Sequence, residues 1–497
     1  MRVAVVGAGI AGLATAHRLR VLLGPDAVIT VLEQRDRIGG VLRTVDLAGV
    51  PYDVGAEAFL ARRPEVPALL DELGLADRLV HPTAARASIR AAGRTVPLPG
   101  GTVLGVPTST ARLSGVLSDA GVAAVAAEPG RPLAWLMGGD VALGGLLRAR
   151  FGNELADRLV DPLLGGVYAG RVDALGLRAT MPALAAALDV GASSLTAAAD
   201  IATGTAAGGS NGTAAGGSNG TAADMVSPAS RHGESADPAR RDRAPSTPSP
   251  VFGALRGGYR VLLDALADAA RADIRLGTTV RGIERSAAGW LLVLGPANAP
   301  EALEADAVVL AVPAPAVARL LGPIAPAAAT AAAGVELASS VVVAMAFHGQ
   351  DVAGVTTSGA LIAAGEPLAI KGLTHSTTKW SHLQGDGLVR MRASLGRFGE
   401  AAALQADDAT LVAQVRADLA TLDGITAAPV AVHVQRWGGG LPQYGVGHVT
   451  RIATLEGGLP DGIAVAGAAL HGVGVPACIA TGRAAADRVA RPVVTIG

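Results

Sequence analysis

A four-residue apolar run, Val3-Ala4-Val5-Val6, leads directly into Gly7-Ala8-Gly9-Ile10-Ala11-Gly12. Leu13 to Leu19 then suits a helix, and a second apolar run, Val28 to Leu32, ends at Glu33. Strand, glycine turn, helix, strand and acid in this order predict a dinucleotide-binding βαβ unit. Gly7 permits the tight turn, Gly9 lets backbone approach a pyrophosphate, and Gly12 lets the helix pack close to the strand. The unpaired N–H groups at the helix start, around Ala8, Ile10 and Ala11, offer phosphates the positive end of the helix dipole. Glu33, followed by Gln34, can accept hydrogen bonds from a ribose hydroxyl and disfavours a 2′-phosphate. A lone Gly-x-Gly-x-x-Gly means little in a chain with 66 glycines. Here strand, helix and acid all fall in place around it.

The residues that follow separate FAD from NAD. Arg35-Asp36-Arg37-Ile38-Gly39-Gly40-Val41-Leu42-Arg43-Thr44 resembles the R-x-G-G-x-x-x-T extension of the glutathione-reductase-like flavoproteins. The resemblance implies that Gly39-Gly40 and Val41 run beside an FAD diphosphate, with Arg43 nearby as a charge partner.

Length and composition set the class. At 497 residues the chain exceeds what one core supports, so two domains are expected. A formal charge of −1, with no long basic run, gives no reason to expect nucleic acid as a partner. One cysteine excludes an intramolecular disulfide and suits a reducing cytosol. Nine histidines show no metal-ligand spacing, so no metal is expected. The N-terminal apolar run is too short for a signal peptide, and no apolar run reaches the length of a membrane span. A cytoplasmic protein is expected, with a patch resting on a membrane surface as the alternative. Heavy use of Ala, Gly, Arg and Val resembles actinobacterial coding bias.

One segment stands apart. Gly204 to Asn211 reads GTAAGGSN and repeats at once, and a polar run rich in Arg, Asp, Ser and Pro continues to Pro250. Residues 201–250 are therefore expected to be a disordered, low-complexity insert without chemistry. Around it, 1–85, 251–315 and 431–497 read as parts of a cofactor domain. Residues 86–200 read as a helical, substrate-binding part, and 316–430 as the rest of the substrate domain. Deleting residues 204 to 245 is expected to leave folding and turnover nearly intact, because closure entropy grows slowly with loop length. Loss of soluble protein on deletion would show that the segment packs on the fold.

Further motifs sharpen the resemblance. Leu441-Pro442-Gln443-Tyr444-Gly445-Val446-Gly447-His448 is similar to the LPQY-x-x-GH segment of oxygen-dependent protoporphyrinogen and coproporphyrinogen oxidases. Gly472 to Ile479 resembles their GxGxPxCI flavin loop, and Leu159 to Gly170 their substrate-domain signature with GVYAG. Asp53 to Leu60 resembles their second FAD contact. Arg171 departs from the family, which has an acid after GVYAG. The match spans nearly the whole chain except the insert. It implies an α/β (α+β) architecture: a Rossmann-like FAD domain of glutathione-reductase type, an interleaved substrate domain and a helical subdomain. It also extends the cofactor set to Gly55, Ala56, Glu57, Ala58, Val280, Trp437, Val473, Gly474 and Val475. Arg63 and Tyr168 become candidate substrate contacts; Lys371, Arg392 and Arg62 are further basic candidates. A solvated Arg62-Arg63 pair, a packing role for His448 and a small core role for Cys478 are the plainer readings of those residues.

The chemistry implied is a six-electron oxidation of a porphyrinogen in three two-electron steps. Hydride goes from a methylene bridge to flavin N5, and molecular oxygen regenerates the flavin with release of hydrogen peroxide. FAD is expected to be held non-covalently. Porphyrinogen, oxygen and other enzymes of the haem route are the partners implied. Coproporphyrinogen is favoured over protoporphyrinogen by the anchorless, actinobacterial-type chain. An amine or carotenoid oxidase and a non-catalytic FAD-binding protein stay open as alternatives.

Overall fold

β1 (Arg2–Val6), α1 (Ile10–Leu23) and β2 (Val28–Leu32) form the expected βαβ unit. The chain is described from a computed structural model over residues 1–204, 250–352, 354–400 and 405–491. β3 (Thr44–Leu47) and β4 (Val50–Asp53) follow as an antiparallel hairpin. Further along come α2 (Asp161–Tyr168) and α3 (Leu195–Thr203). The repeat and polar run at 205–249 lie outside the described residues; α3 continues past the expected boundary at residue 200. α4 (Arg260–Ala270), β5 (Asp273–Arg275) and β6 (Ala307–Leu310) return the chain to the first sheet. β7 (Leu337–His348), β8 (Leu388–Leu395) and β9 (Ala431–Pro442) belong to a second sheet. β10 (Ile463–Val465) and α5 (Val475–Ala490) complete the first.

The first sheet is parallel throughout, in the order β5-β2-β1-β6-β10. Its strands read as unbroken apolar runs because both faces are covered. Val3, Val5, Ile29, Val31 and Val309 pack into a core with α1, α4 and α5. Their neighbours Ala4, Val6, Leu32, Val308 and Leu310 pack on the other side with Trp290 and Leu320. α5 begins at Val475, eight residues before the helix expected from the sequence at Arg483. Gly474 is extended at the N-cap and Pro476 lies in the first turn, where its missing N–H costs nothing.

The second sheet has seven strands. β9-β7-β8 continue through Ile370–Thr374, Gly359–Ile362, Ala87–Ala91 and Arg94–Pro97. It is antiparallel except where Gly359–Ile362 meets Ala87–Ala91. A helical region around α2 and α3 has its own apolar core. In that region Glu128 is fully buried. It accepts from Arg150 Nε at 2.8 Å and Nη2 at 2.6 Å, from the Leu195 and Thr196 amides, and from Thr196 Oγ1. Burial opposes its charge, but the Leu195 amide, Arg150 and Thr196 outweigh it and hold the carboxyl below its ordinary range. No described helix is long and apolar enough to cross a membrane.

Candidate active site

A cavity of about 210 Å³ runs along the carboxyl ends of the parallel strands, where open α/β sheets bind ligands. Gly7, Gly9, Ile10 and Ala11 line one wall. Glu33 and Gln34 line it beyond β2, and Gly39, Gly40 and Val41 face them. Val280 closes the same end with Thr278 and Thr279. Gly439, Gly440 and Pro442 line another wall, and Ala466 to Ala469 with Cys478 a further one.

The glycines do different work. Gly7 has φ +104, and a Cβ there would come within 2.4 Å of the Ala311 carbonyl oxygen. Gly12 does not face the cavity; a Cβ would meet the Gly7 carbonyl oxygen at 1.9 Å, so it brings α1 against the loop as expected. Gly9 is the one whose missing side chain opens space, with nothing nearer to a Cβ than Gly40 Cα at 4.0 Å. The Gly39 amide donates to Ala8 O at 2.8 Å, tying the double-glycine turn to the loop. Ala8 itself donates to Glu33 Oε2 at 2.9 Å, and the Arg35 amide donates to Oε1 at 3.0 Å. Glu33 is thus a buried, backbone-fixed acceptor on the cavity wall. An open glycine cradle, a free helix start and a fixed acid fit FAD. When bound there, FAD would be held by the Ile10 and Ala11 amides at its diphosphate and by Glu33 at a ribose.

Other expected cofactor residues lie behind this wall. Arg43 Nη1 donates to Gln435 Oε1 at 2.7 Å and does not line the cavity. Arg35 does line it, and Arg37 donates to the Ile38, Gly40 and Leu42 carbonyls around the turn. Sequence reasoning passed over both as site residues, although Arg37 opens the R-x-G-G motif. Gly55, Ala56 and Ala58 are not on the cavity surface, but Gly55 presses on it from behind. A Cβ at Gly55 would lie 2.1 Å from the Val41 carbonyl oxygen. The Glu57 carboxylate points elsewhere, accepting from Trp380 Nε1 at 2.7 Å and facing Lys379 Nζ at 3.5 Å. Trp437 Nε1 donates to Val54 O at 2.9 Å, so it braces the same segment. Val473, Gly474 and Val475 form the start of α5 and do not line the cavity; Cys478, one turn on, does. Burial pushes the Cys478 thiol up to about 12, so it offers no thiolate.

The motifs that carried the family resemblance meet in space. Gln443 Nε2 donates to Tyr168 O at 2.7 Å, joining the LPQY and GVYAG segments. Tyr168 is buried with its ring 5.4 Å from that of Tyr444, so it packs rather than lines the cavity. Tyr444 Oη donates to Ala468 O at 2.7 Å and accepts from the Gly472 amide at 2.7 Å. It thereby holds both ends of the strap that lines the cavity. His448 stacks on Tyr444 at 3.9 Å, and burial pushes it down to about 4, so it is neutral packing.

The basic candidates are engaged elsewhere. Arg63 pairs with Glu65, and neither Arg62 nor Arg63 lines the cavity. Lys371 Nζ donates to Gly396 O at 2.8 Å, and burial, then Arg397, pulls it down to about 8. Arg392 Nη1 donates to Asp53 O at 2.9 Å. Arg171, the departure from the family pattern, pairs with Glu400. Among the described residues no cluster of His, Cys, Asp and Glu could hold a metal ion.

Comparison with known proteins gives this arrangement relatives. The model of the family of flavin containing amine oxidoreductases matches residues 10–490. A Mycobacterium leprae coproporphyrinogen III oxidase is 44% identical over 481 residues, covering 97% of this chain and 96% of that one. A Propionibacterium freudenreichii coproporphyrinogen III oxidase is 36% identical, covering 98% and 90%. The crystal structure of an Exiguobacterium protein described as a protoporphyrinogen oxidase superposes with a TM-score of 0.79 at 28% identity, covering 98% of each chain. Putrescine oxidase shares the fold, with a TM-score of 0.67 at 18% identity and coverage of 99% and 100%.

Proposed function

The chain belongs to the family of flavin containing amine oxidoreductases and is an FAD-dependent oxidoreductase; from that premise we propose that it oxidises coproporphyrinogen III to coproporphyrin III in haem biosynthesis. The observation that carries the substrate is the 44% identity to mycobacterial coproporphyrinogen III oxidases over 97% of the chain. The conversion removes six electrons from the macrocycle, and bound FAD supplies two-electron acceptor chemistry, with oxygen taking the electrons on as hydrogen peroxide.

The chain's own contribution is positional. Among the described residues, the large cavity is lined by no His, Tyr or Lys. Its one carboxylate, Glu33, is committed to two backbone amides at the nucleotide end. The residues lining the cavity therefore hold, orient and exclude water rather than shuttle protons. No aromatic side chain lines it either. With five Phe, four Trp and four Tyr in the whole sequence, few aromatic residues are at hand to enclose an amine substrate between rings, which disfavours an amine oxidase. The Exiguobacterium relative keeps protoporphyrinogen as the second reading.

The test is kcat/KM for both porphyrinogens at one ionic strength, followed by porphyrin fluorescence in air. Coproporphyrinogen, with two more carboxylates to engage, is expected to be preferred by about tenfold or more. A preference for protoporphyrinogen would replace the substrate and keep the enzyme class. Absence of turnover with either would overturn both readings.

A further inference from the structure

Two residues beyond the cavity wall, a second surface begins. Val41 lines the cavity and is 44% exposed, and Arg43 follows it just before β3. Gly439 and Gly440 line the cavity from β9, and Gln435 lies further back on that strand, two residues before Trp437. Arg43 Nη1 donates to Gln435 Oε1 at 2.7 Å, so the two approaches meet.

From Gln435 the register of the second sheet sets a row across five strands. Gln435 lies opposite Val342 on β7, Val342 opposite Ser394 on β8, Ser394 opposite Gly372, and Gly372 opposite Leu361. Residues directly opposite each other share one face of the sheet, and four strand spacings make the row about 19 Å long. The other face is closed: Val341, Val343, Leu373, Ala393 and Leu395 pack there against Leu411, Val415 and Leu419. The face with the row is open. Ser394, Gly372 and Leu361 are only half-buried, while their chain neighbours Ala393, Leu395, Leu373 and Ile362 are buried. No side chain larger than valine rises from the middle of the row.

α2 covers the far end. Gly166, which opens the GVYAG run, is exposed although Leu163, Leu164 and Tyr168 of the same helix are buried. A Cβ at Gly166 would lie 3.7 Å from Leu361 Cδ2, and one at Gly372 no nearer than 3.6 Å to any protein atom. Neither glycine has the positive φ that demands one. Backbone and packing would thus admit a side chain at both positions, and glycine weakens a helix and a strand alike. Their absent side chains leave room between the sheet and α2.

The near end carries a charge that no described residue neutralises. Arg43 is half-buried, and its one described side-chain partner is the uncharged Gln435 amide. Nε and Nη2 are left as the planar edge that takes a carboxylate through two parallel hydrogen bonds. Arg392, on the same face, differs: it donates to Asp53 O and has the Asp53 and Glu57 carboxylates near it. We propose that this row seats the porphyrinogen macrocycle and that Arg43 binds one of its propionate carboxylates, which brings the ring system up to the cofactor cavity at Val41 and Gly440. A floor of small side chains with one open cation at its edge matches a broad ring system that is apolar in the middle and anionic at its rim.

The inference deepens the reading of the protein as a porphyrinogen oxidase and rests on it. The experiment compares coproporphyrinogen with its tetramethyl ester, which keeps the macrocycle and loses the charges. Arg43→Gln is expected to raise KM for the acid by about tenfold or more, with kcat within about twofold, full FAD content and an unchanged KM for the ester. Arg43→Lys keeps the charge without the fork and is expected to raise KM for the acid by about threefold. It carries the test of Arg43 if the Gln variant does not fold. Gly372→Val is expected to fold with FAD bound and to lose at least about tenfold in kcat/KM for acid and ester alike. Equal effects of Arg43→Gln on acid and ester, no effect on either, or loss of FAD would overturn the role of Arg43. Wild-type kcat/KM in Gly372→Val would overturn the seat. A wild-type protein that oxidises neither porphyrinogen would overturn the enzyme's proposed function, and this inference with it.

Discussion

Gly9→Val is expected to give a folded protein without colour. A Cβ added at Gly9 meets no protein atom closer than the 4.0 Å of Gly40 Cα, and Gly9 has φ −71, which valine tolerates. Its branched carbons would instead stand in the space where a diphosphate has to approach backbone. FAD affinity should fall by at least about a hundredfold. A hundredfold loss removes about 2.3 kcal/mol of apparent stability from a protein otherwise saturated a hundredfold above its Kd. Circular dichroism should be unchanged while the 450 nm absorbance is absent. Gly12→Ala is the contrast, since its Cβ would lie 1.9 Å from the Gly7 carbonyl oxygen and the loop itself must deform. It should lose soluble protein rather than cofactor alone. A yellow Gly9→Val enzyme with full FAD content would sink the assignment of this loop.

Glu128→Gln is expected to be the most destabilising single change far from the cavity. The glutamine keeps the size and one acceptor but leaves the Arg150 guanidinium buried without its counter-charge. Breaking one side of a buried pair costs about 3–5 kcal/mol. In a region of this size that corresponds to a fall in Tm on the order of 10 °C. Glu128 also accepts from the Leu195 and Thr196 amides, so the change loosens the start of α3. Thermal unfolding followed at 222 nm reads the shift, and flavin content should stay near wild type because Glu128 does not line the cavity. An unchanged Tm would show that the helical region does not depend on this pair.

The first sheet was legible because a parallel sheet buried on both faces announces itself as apolar runs. Val3–Val6, Val28–Leu32 and the run ending at Leu310 needed only that pattern. The glycine loop was legible because each glycine answers a local backbone demand. What stayed hidden was set by partners distant in sequence. Glu57 looked like a cofactor contact because it sits in a cofactor motif, yet its carboxylate is claimed by Lys379 and Trp380, over 300 residues away. Arg43 was read beside the diphosphate and is held by Gln435 instead. Tyr168 was read as a substrate contact, but the neighbouring Tyr444 ring takes its face. α5 was placed too late because Gly474 and Pro476 read as a turn, although a proline in a helix's first turn continues the helix. Asp53 was read only as the start of a cofactor segment, since nothing local distinguishes an exposed aspartate at a strand end from one caught between Thr44 and the start of α4.

The strand order of the first sheet also governs how the protein comes off the ribosome. β1 and β2 are made long before their later partners, since β1 pairs with β6 at residues 307–310, and β6 pairs with β10 at residues 463–465. At translation rates of about 5–20 residues per second, β10 emerges roughly 20–90 s after β2. For that whole interval one edge of the nascent sheet presents unpaired N–H and C=O groups flanked by valines, the template on which strands of other chains add. The cofactor cavity lies along the ends of these same strands and shares their delay, because its last wall, Ala466 to Ala469, follows β10 directly. FAD can therefore be captured only once residue 469 has been synthesised, and supply of the cofactor acts on a chain made at least that far.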